Sequence, residues 1–292
     1  MITVIGIYIF IVIGFFAKKI FKEEIEGKTL VILSTYFLQP FLTLWGIMLV
    51  PLNFDLIISP VVYLGAVFIS LIFTALLAFL FLKDKKEKII ASLTPLIGNT
   101  GNLGIPLSYA LFGDIGASIA TMVNLANIFF IYSFGIFFFA KGEYSFKDAF
   151  KKIVKIPVMW FGILALILNI GGVRFPADIM KILQMGAFAS IVVQLLIFGI
   201  YVAEIKAKEV SFKLSLVTTI NKFLVFPLIS FILLKFCHLK PIFHQAVLLE
   251  VLTPLAVTNV NLAALFNLYP QKVAYLVILT SILFIGVIMI FL

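Results

Sequence analysis

Apolar residues run along this chain in long stretches, separated by short polar connections rich in lysine. A membrane-spanning helix takes about 20 mostly apolar residues. Ten stretches meet that description: Ile2–Ala17, Leu30–Val50, Leu56–Leu82, Ile89–Phe112, Ile115–Ala140, Ile156–Gly171, Ile179–Val202, Phe212–Phe236, Ile242–Leu268 and Val273–Leu292. The pattern predicts an all-α integral membrane protein with ten transmembrane helices. Seventeen basic residues fall in connections after odd-numbered spans, among them Lys18, Lys28, Lys83, Lys141, Lys155, Lys206 and Lys272, against four (Arg174, Lys181, Lys235, Lys240) after even-numbered ones. The positive-inside rule then puts the odd connections in the cytoplasm and both termini outside the cell membrane. The first span has no basic residue before it and Lys18 and Lys19 after it, the reverse of a cleaved signal peptide, so it is expected to stay in the mature protein.

The strongest pattern is internal. Leu93-Thr94-Pro95-Leu96 recurs as Leu252-Thr253-Pro254-Leu255, and at the same offset Asn102-Leu103 recurs as Asn261-Leu262. These segments are the fourth and ninth predicted spans, so the repeat unit is five helices. Five is odd, and the second copy therefore enters the membrane from the opposite side. Residues 1–140 and 156–292 become two inverted repeats, an organisation common among secondary transporters with a midplane substrate site. Residues 141–155 link them. In that linker Phe146, Ala149, Phe150, Ile153 and Val154 share one helical face and Lys147, Lys151, Lys152 and Lys155 the other. This fits a helix on the anionic inner leaflet, or a plain tether whose lysines only set topology.

Both repeated spans are broken. The fourth contains Pro95, Gly98, Gly101, Gly104 and Pro106, and the ninth contains Pro254. Proline removes a donor and clashes with the preceding turn, and non-helical backbone inside a membrane survives only when buried in protein or facing a cavity. Thr94, Asn99, Thr100 and Asn102 surround the first break, and Thr253, Thr258, Asn259 and Asn261 the second. Capping would occupy some of these groups, and the rest are expected to bind a ligand where the broken helices cross. Two half-helix N-termini there would favour an anion.

Composition narrows the function classes. The 292 residues are 63% hydrophobic and 12% charged, against about 45–50% and 25% in soluble domains. That excludes a cytosolic enzyme, a disordered chain and a nucleic-acid-binding domain, since the net charge of +9 comes from lysine clusters between apolar runs. One cysteine, Cys237, allows no intrachain disulfide. Two histidines, His238 and His244, make a His/Cys metal site unexpected, and no HExxH, GxSxG or Walker-type phosphate loop is present. No enzymatic activity and no cofactor are expected.

Two ionisable residues lie within spans, Lys222 in the eighth and Glu250 in the ninth. Such residues face the interior and have partners. Glu250 reads as a proton or sodium carrier balanced by Lys222, as half of a structural Lys222–Glu250 pair, or as a carboxylate near the outer surface. Gln39 and Gln194, in the second and seventh spans, either line the site or join helices, and Asn124 and Asn127 on the fifth share that ambiguity.

The run Gly98-Asn99-Thr100-Gly101-Asn102-Leu103-Gly104-Ile105-Pro106-Leu107, closing with Leu111-Phe112-Gly113, resembles the fourth-span signature of the auxin efflux carrier family. That family includes plant PIN-FORMED exporters and bacterial malate and malonate permeases. The resemblance implies transport of small organic anions by elevator-like alternating access. Spans one, two, six and seven would form a scaffold that often dimerises, and spans three to five and eight to ten a moving domain. The crossing would hold the substrate carboxylate, with Asn99 at the position of the substrate-contacting asparagine. A sodium- or proton-coupled carrier of the related bile acid symporter architecture, with Na⁺ near Glu250, is the alternative. A non-transporting receptor has no output domain to speak through.

Overall fold

The computed structural model describes residues 2–139, 154–204 and 211–291. The chain forms α1 (Ile2–Phe21), α2 (Gly27–Met48), α3 (Phe54–Phe81), α4 (Lys85–Leu93), α5 (100–112), α6 (114–139), α7 (Pro157–Ile170), α8 (Ala177–Glu204), α9 (Phe212–Phe236), α10 (Pro241–Leu252), α11 (Thr258–Leu265) and α12 (Pro270–Phe291). The predicted amphipathic segment Lys141–Lys155 lies almost wholly outside the described residues, as do Lys206 and Lys208.

Local sequence sets several helix starts. Asn53 accepts the Leu56 N–H to open α3, Asp84 accepts that of Glu87 to open α4, and Ser211 accepts that of Leu214 to open α9. Among the described residues, six helical runs are long and apolar enough to cross a membrane: Gly27–Met48, Phe54–Phe81, Thr100–Phe139, Ala177–Glu204, Phe212–Phe236 and Pro270–Ile290. The structure divides the fourth predicted span into α4 and α5, and the ninth into α10 and α11. It joins α5 to α6 in one helical run that turns at Gly113, whose φ of 64° and ψ of −150° is a backbone shape only glycine takes readily. Contacts between Thr100 and Asn124 and between Gly98 and Asn127 are symmetric about that turn, so α5 and α6 run antiparallel.

Three wide, five-residue-spaced turns interrupt helices: Ser34–Leu38 in α2, Thr100–Gly104 in α5 and Asn221–Val225 in α9. Each is followed two residues later by a proline (Pro40, Pro106, Pro227). Widening the turn relieves the clash of the proline ring with the carbonyl behind it. A fourth, Ile131–Gly135 in α6, has no such proline.

Packing sorts the helices into two sets. α8 lies against α1 and α2, and α7 against α2. α3 lies against α4, the α5–α6 hairpin and α9, while α10 packs on the hairpin and on α9, and α11 on α12. Ion pairs stay within sets, Lys18–Glu204 (2.9 Å) in the first and Lys272–Glu87 (2.6 Å) in the second. Asn169 of α7 ties down the end of α2, donating to the Ile47 and Val50 carbonyls and accepting from Leu52 N–H and Arg174. The sets meet where Ser118 donates to the Gly46 carbonyl (2.6 Å) and where Trp45 packs edge-on against Tyr109. Outward faces carry apolar residues, such as Ile72, Phe79 and Leu80 on α3 and Leu224 and Leu228 on α9. Such a surface suits lipid and would be a liability in water.

α1 and α8 approach closely at two glycines. A Cβ at Gly14 would collide with the Leu196 carbonyl, and one at Gly199 with that of Ile11. Gly199→Ala is expected to lower stability in detergent by about 1–3 kcal/mol, as overpacking does. Gly286→Ala, with open space around it, should leave the melting temperature unchanged or slightly raised. Equal melting of both variants would refute the close helix contact.

Candidate functional site

The two helix breaks cross at the centre of the second set. Residues 94–99 and 253–257 leave the helical path, and each exposes backbone groups that need partners. They supply one another. Asn99 N–H donates to the Pro254 carbonyl (2.8 Å) and Ala256 N–H to that of Ile97 (3.0 Å), an isolated antiparallel bridge centred on Gly98 and Leu255. Side chains serve the remaining groups. Asn259 Nδ2 donates to the Ile97 and Ala256 carbonyls, Asn127 Nδ2 to that of Gly98, and Lys222 Nζ to that of Pro95 (3.2 Å), while Leu255 N–H donates to Thr280 Oγ1. The hydroxyls of Thr94 and Thr253 turn back onto their own helices, at Ile90 and Glu250.

α5 and α11 start at this crossing and direct their N-terminal ends at two small cavities. The first, of about 110 Å³, is lined by Asn99, Thr100, Gly101, Asn102, Asn124, Asn127, Thr35, Gln39, Tyr132 and Thr258, among others. The second, of about 100 Å³, shares Thr35, Gln39, Asn102 and Thr258 and adds Ser34, Gln194, Tyr201 and Asn261. Neither lining contains a charged side chain. Asn127 also donates to Thr100 Oγ1 (2.9 Å), whose hydroxyl donates to Asn124 Oδ1 (2.9 Å). Two buried amide atoms on the first cavity, Asn99 Nδ2 and Asn127 Oδ1, have no partner within the protein. They provide one donor and one acceptor beside two helix N-termini, an arrangement that can hold a carboxylate and its neighbouring hydroxyl or carbonyl.

The residues expected to bind substrate separate into two groups. Asn99, Thr100, Asn102, Thr258, Asn261, Gln39 and Gln194 line the cavities. Thr94 and Asn259 are buried, line neither, and serve the backbone of the breaks. Of the helix-break residues, Gly98 and Gly101 line the first cavity, while Pro95, Gly104, Pro106 and Pro254 lie behind it. Asn124 and Asn127, three apart on α6, share one face and bring the amide pair that completes the lining. Thr35 carries no mark in the sequence and is set on the cavity wall by the wide turn of α2.

Lys222 and Glu250 stand behind the crossing, each 0% exposed and neither lining a cavity. This overturns the option of a Glu250 near the outer surface. Among the described residues no ion pair within 4.0 Å joins Lys222 to Glu250, so the two buried groups interact across a longer gap rather than in contact. Lys222 Nζ sits over the Phe226 ring, 5.3 Å from its centre, besides its bond to Pro95. Glu250 Oε1 accepts from Ser108 Oγ (2.9 Å), and Oε2 has no partner within the protein. The carboxylate fills the space left by Gly104, where a Cβ would collide with it. No cluster of three or more His, Cys, Asp or Glu able to hold a metal occurs among the described residues. The wide turn of α9 directs Asn221 inward beside Lys222, where its Nδ2 donates to the Thr74 and Ala91 carbonyls of α3 and α4.

A family model described as membrane transport protein matches residues 1–149. The chain is also similar to an uncharacterized transporter of Methanocaldococcus jannaschii, with 27% identity over 296 residues that cover 96% of this chain and 93% of that protein.

Gly104→Ala should destabilise the fold, and Glu250→Ala should be less harmful in that background than in the wild type. The coupling expected in a double-mutant cycle of thermal or denaturant melts is about 0.5–3 kcal/mol. Additive effects would show that the carboxylate does not occupy the glycine's space.

Proposed function

Because the chain belongs to the membrane transport protein family, the auxin efflux carriers that its Gly98–Gly113 signature resembles, we propose that this multi-pass membrane protein carries small organic anions. Carboxylates of the auxin, malate or malonate class bind at the crossing of the fourth and ninth spans. The observation that carries this reading is the cavity where the α5 and α11 N-termini meet the unpartnered Asn99 Nδ2 and Asn127 Oδ1. Its neutral lining suits an anion held by N–H groups and amides rather than by an arginine fork.

In this reading the chain crosses the membrane ten times as two inverted five-helix repeats, 1–140 and 156–292, with both termini outside the cell membrane. Transport proceeds by an elevator motion. α1, α2, α7 and α8 form the scaffold, through which the protein dimerises, and α3–α6 with α9–α12 form the moving body. The sorting of helix contacts and ion pairs into these two sets supports that division. The cavities lie where Thr35, Gln39 and Gln194 of the first set face the crossing of the second, so sliding one set past the other would change the side from which the anion is reached.

A proton- or sodium-coupled carrier is favoured by one observation, the buried Glu250 Oε2 without a protein partner. A carboxylate oxygen so placed calls for a proton or a cation. In that mechanism Glu250 carries the coupling ion behind the crossing and Lys222 supplies compensating charge.

Asn99→Ala is expected to lower uptake of radiolabelled carboxylate into proteoliposomes about ten- to a hundredfold, the loss of a hydrogen bond to a charged group. Its melting temperature should stay unchanged, because Asn99 Nδ2 holds nothing in the protein. Normal uptake by this variant would refute the crossing site. Glu250→Gln should make uptake insensitive to an imposed proton or sodium gradient; retained sensitivity would remove Glu250 from coupling.

A further inference from the structure

The two cavities at the crossing adjoin a third chamber. It has a volume of about 320 Å³ and is lined by Val31, Ile32, Thr35, Tyr36, Tyr132, Lys155 and Ile156. Thr35, Tyr132 and Ile156 also line the first cavity, so the two spaces share a wall of three residues. We propose that this chamber is the path by which the anion reaches the crossing, and that Lys155 is the cation that draws it in. The proposal rests on the anion-carrier reading and names the residue that gives the neutral site its charge selectivity.

Among the described residues that line the three spaces, Lys155 is the only cationic side chain, and no acidic side chain accompanies it. Helix N-termini favour an anion modestly and amides carry no net charge, so a cation earlier on the path adds to the selection. Lys155 is exposed, and no acidic partner neutralises it among the described residues. The walls next to it are apolar or aromatic: Val31, Ile32, Tyr36, Tyr132 and Ile156. A single sign of charge between low-dielectric walls focuses the field and raises the local concentration of counter-ions. Thr35 belongs to all three linings and provides a polar step from the chamber to the crossing. The wide turn at Ser34–Leu38 puts it there. A cation that attracts substrate without gripping it changes the concentration needed for half-maximal rate and leaves the rate at saturation alone. Its effect also fades as salt screens it.

The test uses Lys155→Cys in a Cys237→Ser background, reconstituted in phosphatidylcholine vesicles, with uptake of radiolabelled acetate, malonate and malate measured at low and high ionic strength. At low salt, sub-saturating uptake is expected to fall about tenfold, the lower end of electrostatic steering, with the saturating rate unchanged and the deficit shrinking at high salt. A cationic methanethiosulfonate reagent should restore uptake, a neutral one should not, and an anionic one should depress it further. Equal effects of the three reagents, or a deficit indifferent to salt, overturn the proposal. So does a charge effect that appears only when anionic lipid is added to the vesicles, which would assign Lys155 to a lipid headgroup. Asn99→Ala separates the two levels. If it is inactive while Lys155 is indifferent to charge, the crossing site stands and the path falls. If it transports normally, or if the wild type moves none of the three acids, the site reading itself falls.

Discussion

Unwound backbone inside an apolar bundle has to find its hydrogen bonds within the protein, and the centre of this molecule is arranged around that requirement. An orphaned buried backbone group costs about 1–3 kcal/mol, and two breaks at one depth create several. The bridge between Asn99 N–H and the Pro254 carbonyl and between Ala256 N–H and the Ile97 carbonyl meets part of the need. The rest falls to side chains that would otherwise have no reason to lie in an apolar core: Asn127, Asn259, Lys222 and Thr280. The helix ends that start just beyond the unwound segments border the cavity at Thr100, Gly101 and Thr258.

The same requirement distributes the polar residues between structure and function. Thr94 and Asn259 are consumed by the breaks, whereas Asn99 turns its backbone to the bridge, lines the cavity and leaves its side-chain nitrogen without a protein partner. The crossing is not symmetric in its chemistry. The Pro254 carbonyl takes a backbone N–H, but the Pro95 carbonyl takes a lysine ammonium. That ammonium and the Glu250 carboxylate lie on the protein side of the crossing, packed where Gly98 and Gly104 leave room. Neither residue lines a cavity, so both stand off from the site rather than serving it as direct ligands.

Proline and glycine supply the shape. Wide turns ahead of Pro40, Pro106 and Pro227 change which side chains face inward, and so bring Thr35, Thr100 and Lys222 to the centre. Gly113 folds α5 back on α6, which lays Asn124 and Asn127 against Thr100 and Gly98. Gly14 and Gly199 allow α1 and α8 to touch backbone to backbone within the first helix set, while ion pairs remain internal to each set. Between the two sets, the Ser118 hydroxyl meets the Gly46 carbonyl, Tyr109 meets the rings of Trp45 and Phe188, and α2 and α8 pack on the α5–α6 hairpin.

Helical membrane character, both breaks and most of the cavity lining were legible in the residues alone. Apolar length, proline and glycine act locally, and an amide inside an apolar stretch has to face protein. The amino-acid sequence identified Asn99, Thr100, Asn102, Thr258 and Asn261, and it read Gln39 and Gln194 as either lining or helix-joining; all seven line the cavities. The partners those groups take depend on contacts made by the fold. Asn259 resembles its neighbours in composition, but its amide reaches the Ile97 carbonyl of the partner break, more than 150 residues away, while the Thr94 hydroxyl stays on its own helix at Ile90. Lys222 and Glu250 suggested a pair because both are charged and buried. In the fold Lys222 contacts a carbonyl and Glu250 a serine hydroxyl, in spaces left by Gly98 of the unwound segment and Gly104 of α5. Thr35 and Lys155 carried no sequence signal toward the site, because their position comes from a turn in α2 and from the packing of α7 against it.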